Sequence, residues 1–596
     1  MRLLGRERWL PNRMAEATAV VISDSFLGDT RMLKEPHSKY RPFPAVDLPD
    51  RTWPSRVLQA PPVWLSTDLR DGNQALFEPM SVARKRDLFA LLCTIGFKEI
   101  EVGFPSASQT DFDFVRTLIE DGLVPPDVTI GVLTPARTDL IATTIAALRG
   151  ARRAIVHVYN AISPVFRDIV FRRDKAAVLA MAQESVLYVK ALTKAQPETQ
   201  WVLQYSPEAF SGAELEFARA VCDAVVAAWG PVEDDQVIIN LPATVEMSTP
   251  NVFADQVEWM HRHLSRRPAI TLSVHPHNDR GTAVAAAELA LMAGAERVEG
   301  CLFGNGERTG NVDLVTLALN LYTQGISPRL DFSRLDDVAR IASECTRLPI
   351  SPRHPYVGEL VYTAFSGSHQ DAIRKGFAAQ EDGAFWNVPY LPLDPRCVGR
   401  SYEAVVRVNS QSGKGGIAYI LETRYGIVLP RALLIVFSRM IQAVTDSTGA
   451  EMTPEQIGAL FHDEYLRDRK SIRYRRHELS EDRETSRHRV RLHLERDGQA
   501  VCYEGYGNGP LDAAVHALPV AVRLRHYEER SVGQGSASKA LAVLEIEPSA
   551  GGPSVFGVGI HSSIVTASLI ALVRAFASCD ALVRDSDCAK APSPYG

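Results

Sequence analysis

Nowhere in the 596 residues is there a run near the roughly 18 consecutive apolar positions that a membrane-spanning helix requires, and a chain with no membrane partner is expected. Cysteine is sparse: eight residues are scattered from Cys93 to Cys588 without a CxxC pair. That spacing excludes a zinc knuckle or a disulfide framework and points to a reducing cytoplasm. Charge of one sign is also missing, because 65 Lys and Arg stand against 71 Asp and Glu. The resulting net charge of −6 gives no electrostatic reason to expect nucleic acid as a partner. Residues 1–30 mix arginine with short apolar runs and lack the apolar core of a signal peptide. Residues 1–45 therefore read as a partly flexible N-terminal arm.

What the chain does have is length, enough for more than one hydrophobic core, and a repeating rhythm. From Val63 onward, short β-rich runs alternate with polar turns and amphipathic helical stretches. Strands are expected at 63–67, 99–103, 128–133, 154–159, 201–205, 237–241, 270–275 and 297–303. Eight β/α units in this length predict an α/β fold, a TIM (β/α)8 barrel over residues 46–345, with its active site on the C-terminal face of the strands. Residues 346–475 have a different texture, that of helical subdomains. Its glycine-rich stretch 409–416 lacks the spacing of a phosphate loop. Residues 466–489, dense in Arg, Glu, Asp and His, are expected to be a solvated linker. Over 476–596, strand pairs alternating with helices predict a small α+β domain, whose glycine-rich turns offer backbone N–H groups to a small carboxylate.

The chemistry is organised around Ser273-Val-His-Pro-His-Asn-Asp279. Alternate side chains of a strand share a face, so Ser273, His275 and His277 point one way and Val274 the other. Two imidazoles on one face invite a divalent ion that needs oxygen ligands from elsewhere. Asp71, after the first strand, and Asn311, after the eighth, supply them from neighbouring positions of a closed barrel. Asp71, His275, His277 and Asn311 with water form a mixed N/O shell suited to Mn²⁺, Zn²⁺ or Mg²⁺, and such an ion polarises a chelating carbonyl. Arg70 stands beside that site to stabilise the developing alkoxide. Glu208 and His369 are candidates for proton transfer, because a carbon nucleophile requires a C–H to be deprotonated.

Asp68-Leu-Arg-Asp-Gly-Asn-Gln74, His275-Pro-His-Asn-Asp279 and Gly304-Asn-Gly-Glu-Arg-Thr-Gly-Asn311 resemble the signatures of the Claisen-condensing family that includes the 2-isopropylmalate, homocitrate and citramalate synthases. The stretches 240–251 and 409–416 look like its long actinobacterial and fungal 2-isopropylmalate branch. The resemblance implies condensation of acetyl-CoA with 2-oxoisovalerate, with Asp71, His275, His277 and Asn311 as metal positions. It implies that Arg70 polarises the carbonyl, that Glu208 and His369 serve acid–base steps, and that Tyr402 approaches the active site of the partner in a homodimer. His157 and Thr244 would line the 2-oxoacid, and Gly304, Asn305, Gly306 and Glu307 would meet the substrates near the CoA. Residues 346–475 would complete the active site. The C-terminal domain would bind leucine as an inhibitor, with Gly505, Gly507 and Ala513 nearest its contacts. A synthase using another 2-oxoacid shares all these motifs. A hydroxymethylglutaryl-CoA-type lyase would share the barrel but has no use for the C-terminal domain.

Overall fold

A computed structural model describes residues 35–231, 237–364, 366–400, 414–448, 452–469, 471–482, 487–532, 538–549 and 551–589. Tyr402, most of the glycine-rich stretch 409–416 and residues 1–34 of the arm lie outside the described residues. Residues 1–49 and 50–596 are separate units, and the described part of the first includes one short turn, Pro36–Lys39.

In the second unit, eight parallel strands close in sequence order into a barrel. They are β1 (Val63–Ser66), β2 (Glu99–Gly103), β3 (Thr129–Pro135), β4 (Arg153–Ala161), β5 (Gln200–Glu208), β6 (Val237–Ala243), β7 (Ile270–Pro276) and β8 (Arg297–Gly300). Each crossover contains a helix, and several of these have ends written in the sequence. Ser81, Ser108 and Asp174 accept backbone N–H bonds at helix starts, and Gly96, at φ 110°, closes the first helix. Inside the barrel, Leu65, Ile155, Val202 and Ile238 form an apolar plug. The TIM-barrel expectation is met. β8 ends earlier than expected, at Gly300, because Phe303 turns into the left-handed region (φ 56°) and aims the next loop back over the barrel mouth.

After the barrel come helices, then two antiparallel three-stranded sheets in the orders β11-β10-β9 and β12-β13-β14. Their strands are β9 (Ile472–Asp482), β10 (Arg487–Arg496), β11 (Gln499–Gly507), β12 (Val522–Val532), β13 (Lys539–Pro548) and β14 (Val555–His561). Alternation explains how β13 serves two cores. Leu541 and Val543 pack with Phe437, Ile457 and Phe461 of the preceding helices, while Ala542, Leu544 and Ile546 pack with Leu572 and Phe576 of the closing helix Ile564–Ala589.

The arginine-rich stretch 466–489 is not simply a linker: it contains all of β9 and the start of β10. Ile472 and Tyr474 face the core, and the charged side chains lie on the outer face, where they pair across strands. Arg475 binds Glu495 (3.1 Å), and Arg489 and Arg491 share Glu504 (2.7 and 2.8 Å). Cross-strand pairing of opposite charges supports a sheet that composition alone disguises as solvated chain. β12, rich in Arg and Glu, was hidden in the same way.

Gly505 and Gly507 let the helix Pro510–Ala517 approach β11. A Cβ on Gly505 would stand 2.3 Å from the carbonyl of Ala513, and one on Gly507 would stand 2.3 Å from the Ala513 amide. Gly557 and Gly559 do the same for the closing helix beneath β14. The domain is thus a β-β-β-α unit used twice, each with a glycine pair under its helix. Among the described residues no helix is long and apolar enough to cross a membrane.

Candidate metal centre and substrate cavity

β1 ends in a wide helical turn, Asp68–Gly72, which points Asp71 into the barrel mouth. The loop after β8 returns along the end of β7, where Asn311 pairs with His277 through an isolated β-bridge. These two local features bring together residues more than 200 positions apart. Asp71 Oδ2 lies 3.4 Å from Nε2 of both His275 and His277. The Asn311 amide reaches Asp71 Oδ2 at 2.8 Å and His275 Nε2 at 3.1 Å. All four residues are buried, and one ligand atom from each of Asp71, His275 and His277 falls within 4.8 Å of the other two. Two imidazole nitrogens, a carboxylate oxygen and an amide converging on one point fit a single divalent cation.

Charge shows the same design. Burial opposes ionisation of Asp71, but Arg70 and the two histidines overcome it and hold the carboxyl well below its usual range. Burial would also lower His275, yet hydrogen bonds to Asp71 and Glu299 lift it to about 9.

The buried residues around this centre form a closed circuit. Arg70 donates to Asp71 Oδ1 (2.7 Å) and to Glu101 Oε2 (2.6 Å), and Glu101 Oε1 faces His157 Nδ1 at 2.6 Å. His157 Nε2 meets Ser206 Oγ (2.7 Å), which accepts from Asn240 Nδ2 (2.9 Å). Asn240 also donates to Glu299 Oε2 (3.1 Å), which faces His275 Nδ1 at 3.0 Å, and His275 leads back to Asp71. Glu101 and Glu299 escaped the sequence reading. The usable signal was alternation in Glu99-Ile-Glu-Val and Arg297-Val-Glu: in a closed barrel one of the two faces points inward.

Above the circuit lies a cavity of about 320 Å³, lined by Arg70, Asp71, His275 and His277 on one side. Phe104, Leu133, Tyr159 and Pro242 supply apolar wall, with His157, Glu208, Thr244 and Glu307 between. Burial raises the Glu208 carboxyl above its usual range, with Arg70 pulling the other way. Thr244 supports it indirectly: its hydroxyl accepts from the amide of Ala209 (2.8 Å), a residue held at φ 57°. Glu307 is held by Gln74 (2.9 Å). Gly304, Asn305 and Gly306 line an adjoining cavity of about 360 Å³, and Arg308 borders both.

The structure does not bring every predicted residue here. His369, on the helix Gly367–Ala379, is exposed and stacks on Tyr390 at 4.0 Å between ring centroids, away from the cavity lining. Gly505, Gly507 and buried Ala513 form the tight helix-on-strand contact of the C-terminal domain.

Residues 62–342 match the HMGL-like family, 359–422 the alpha-isopropylmalate synthase post-catalytic domain-like family, and 451–579 the LeuA allosteric (dimerisation) domain. A protein of Ralstonia nicotianae named 2-isopropylmalate synthase is 61% identical over 547 residues, covering 91% of this chain and 95% of the relative. One of the same name from Paraburkholderia xenovorans is 59% identical over 558 residues, covering 93% and 97%.

Proposed function

The chain belongs to the 2-isopropylmalate synthase family, and we propose that it condenses acetyl-CoA with 2-oxoisovalerate, then hydrolyses the thioester to release 2-isopropylmalate and CoA. The observation that carries this reading is the convergence of buried Asp71, His275, His277 and Asn311 beside Arg70 at the floor of one cavity. A divalent cation there, Mg²⁺, Mn²⁺ or Zn²⁺, supplies Lewis-acid polarisation of the oxoacid carbonyl.

The chain's own groups do the rest. Arg70, clamped between Asp71 and Glu101, presents a fixed positive charge where the carbonyl oxygen becomes negative. Glu208, on the same cavity wall, takes a proton from the acetyl methyl so that carbon can attack. Phe104, Leu133 and Pro242 offer apolar contact to the isopropyl group, with His157 and Thr244 at the polar end. Gly304, Asn305 and Gly306 border the adjoining cavity, which can take the CoA arm. His369, exposed outside this cavity, would serve the cavity of the second subunit in a homodimer, as the resemblance implies for Tyr402. The LeuA-type domain supports dimerisation and leucine feedback at its helix-on-strand contact. Cys93, Cys222, Cys301, Cys345, Cys397 and Cys502 form no disulfide, which fits a cytoplasmic enzyme.

The test is CoA release from acetyl-CoA and 2-oxoisovalerate before and after chelation. Release should stop on chelation and return with added Mg²⁺, Mn²⁺ or Zn²⁺. An unchanged rate after exhaustive chelation rules the reading out.

The raised Glu208 carboxyl sets a further expectation. A base must be ionised, so kcat/KM should fall as pH drops through a value above that of an ordinary glutamate. Glu208→Gln should lose that acid limb together with about 10²- to 10⁴-fold in kcat. A Glu208→Gln profile with the limb still present assigns the proton transfer elsewhere.

A further inference from the structure

Glu299 has no exposed surface, yet it touches both halves of the site. It and Arg297 are two apart on β8 and so share the inward face. Glu299 Oε1 accepts from Arg297 and from Gln204 Nε2, each at 2.5 Å. Gln204 cannot be turned round, because its own oxygen accepts from Arg297 (3.2 Å). Glu299 Oε2 accepts from Asn240 Nδ2 (3.1 Å) and faces His275 Nδ1 (3.0 Å). Three N–H donors, from Arg297, Gln204 and Asn240, already converge on the two oxygens of Glu299, so it is the acceptor here too and the hydrogen of this last contact sits on His275 Nδ1. Nε2 is then the nitrogen aimed at Asp71 and Asn311.

We infer that Glu299 is the positioning residue that fixes His275 in the tautomer and ring orientation of a metal ligand, and that through Asn240 it ties this ligand to the floor of the oxoacid cavity. His277 has a different anchor: its Nδ1 faces the backbone carbonyl of Ala243 at 3.2 Å. One ligand is thus set by main chain and the other by a single replaceable side chain. The inference rests on the cation reading given above. A carboxylate behind a ligating imidazole fixes ring direction and raises ligand basicity, and its loss typically weakens metal binding 10- to 100-fold.

The experiment measures Mn²⁺ affinity of the full-length protein by calorimetry and electron paramagnetic resonance, alongside thermal melts in EDTA. Glu299→Gln should weaken Mn²⁺ by about 10- to 100-fold. Glu299→Asp keeps the charge beside Arg297 but withdraws the carboxylate from His275; it should fold and show a smaller loss. Glu99→Gln is the control, because Glu99 also pairs with Arg297 (2.6 Å) and touches no proposed ligand; it should leave Mn²⁺ affinity unchanged. In the wild-type protein loaded with Zn²⁺, ¹⁵N-histidine NMR should show Nδ1 of His275 protonated and Nε2 bound to the ion. Wild-type affinity in both Glu299 variants, equal weakening in Glu99→Gln, or Zn²⁺ on Nδ1 would overturn the inference while leaving the cation reading intact. A wild-type protein that binds no Mn²⁺ overturns both.

Discussion

His275→Ala is expected to lower kcat by on the order of 10³-fold or more and still yield a folded chain. The catalytic loss follows from removing one of two imidazoles at the cation site, since Lewis-acid polarisation is worth several kcal/mol and each 1.4 kcal/mol is about tenfold in rate. The fold survives because the anions His275 faces keep other partners: Asp71 retains Arg70 at 2.7 Å, and Glu299 retains Arg297 at 2.5 Å. What remains is the cost of unmade hydrogen bonds, about 1–3 kcal/mol. That is small beside the rate effect, so turnover and melting temperature should separate. Steady-state CoA release, a thermal melt in EDTA and Mn²⁺ titration on one preparation check this. Near-normal turnover would remove the cation from the reaction.

The second large effect is at Arg70. Its guanidinium holds two carboxylates at once, through NH1 to Asp71 and Nε to Glu101, a fork that a single ammonium cannot copy. Arg70→Lys keeps the charge and loses the aim. It should reduce kcat by about 10²- to 10³-fold, the loss seen when one preorganised donor is removed from a developing oxyanion. Arg70→Ala should behave differently, because it leaves Asp71 and Glu101 buried without their main countercharge. About 3–5 kcal/mol of stability is then at risk, visible as a lower melting temperature. Kinetics on the lysine variant and melting on the alanine variant separate electrostatic catalysis from structural pairing. A lysine variant with full kcat would mean that no alkoxide forms beside Arg70.

Much of this was legible in the linear chain, and the parts that were not share one cause. The barrel announced itself through its β/α rhythm, and the His-Pro-His segment through strand alternation, because both patterns are local. The circuit behind the ligands was not legible: Glu101 and Glu299 look in sequence like the solvent side of ordinary strands. Closure of the barrel turns that side inward, and closure is a property of all eight strands together. Arg475 and Arg489 misled in the opposite direction. Their density suggested open chain, whereas each has a glutamate waiting on a neighbouring strand. Gly505 reads as a strand end and Gly507 as the turn into a helix, and their place beneath that helix depends on a contact with Ala513 that no local pattern encodes.

The loop of hydrogen bonds from Asp71 through Glu101, His157 and Asn240 back to His275 has an evolutionary corollary. Each side chain takes its donor or acceptor role from both neighbours, so replacements around the loop will be epistatic, each one's effect depending on the state of the others. Accepted changes there should come in compensating sets drawn from distant parts of the gene, one from each strand that contributes a link.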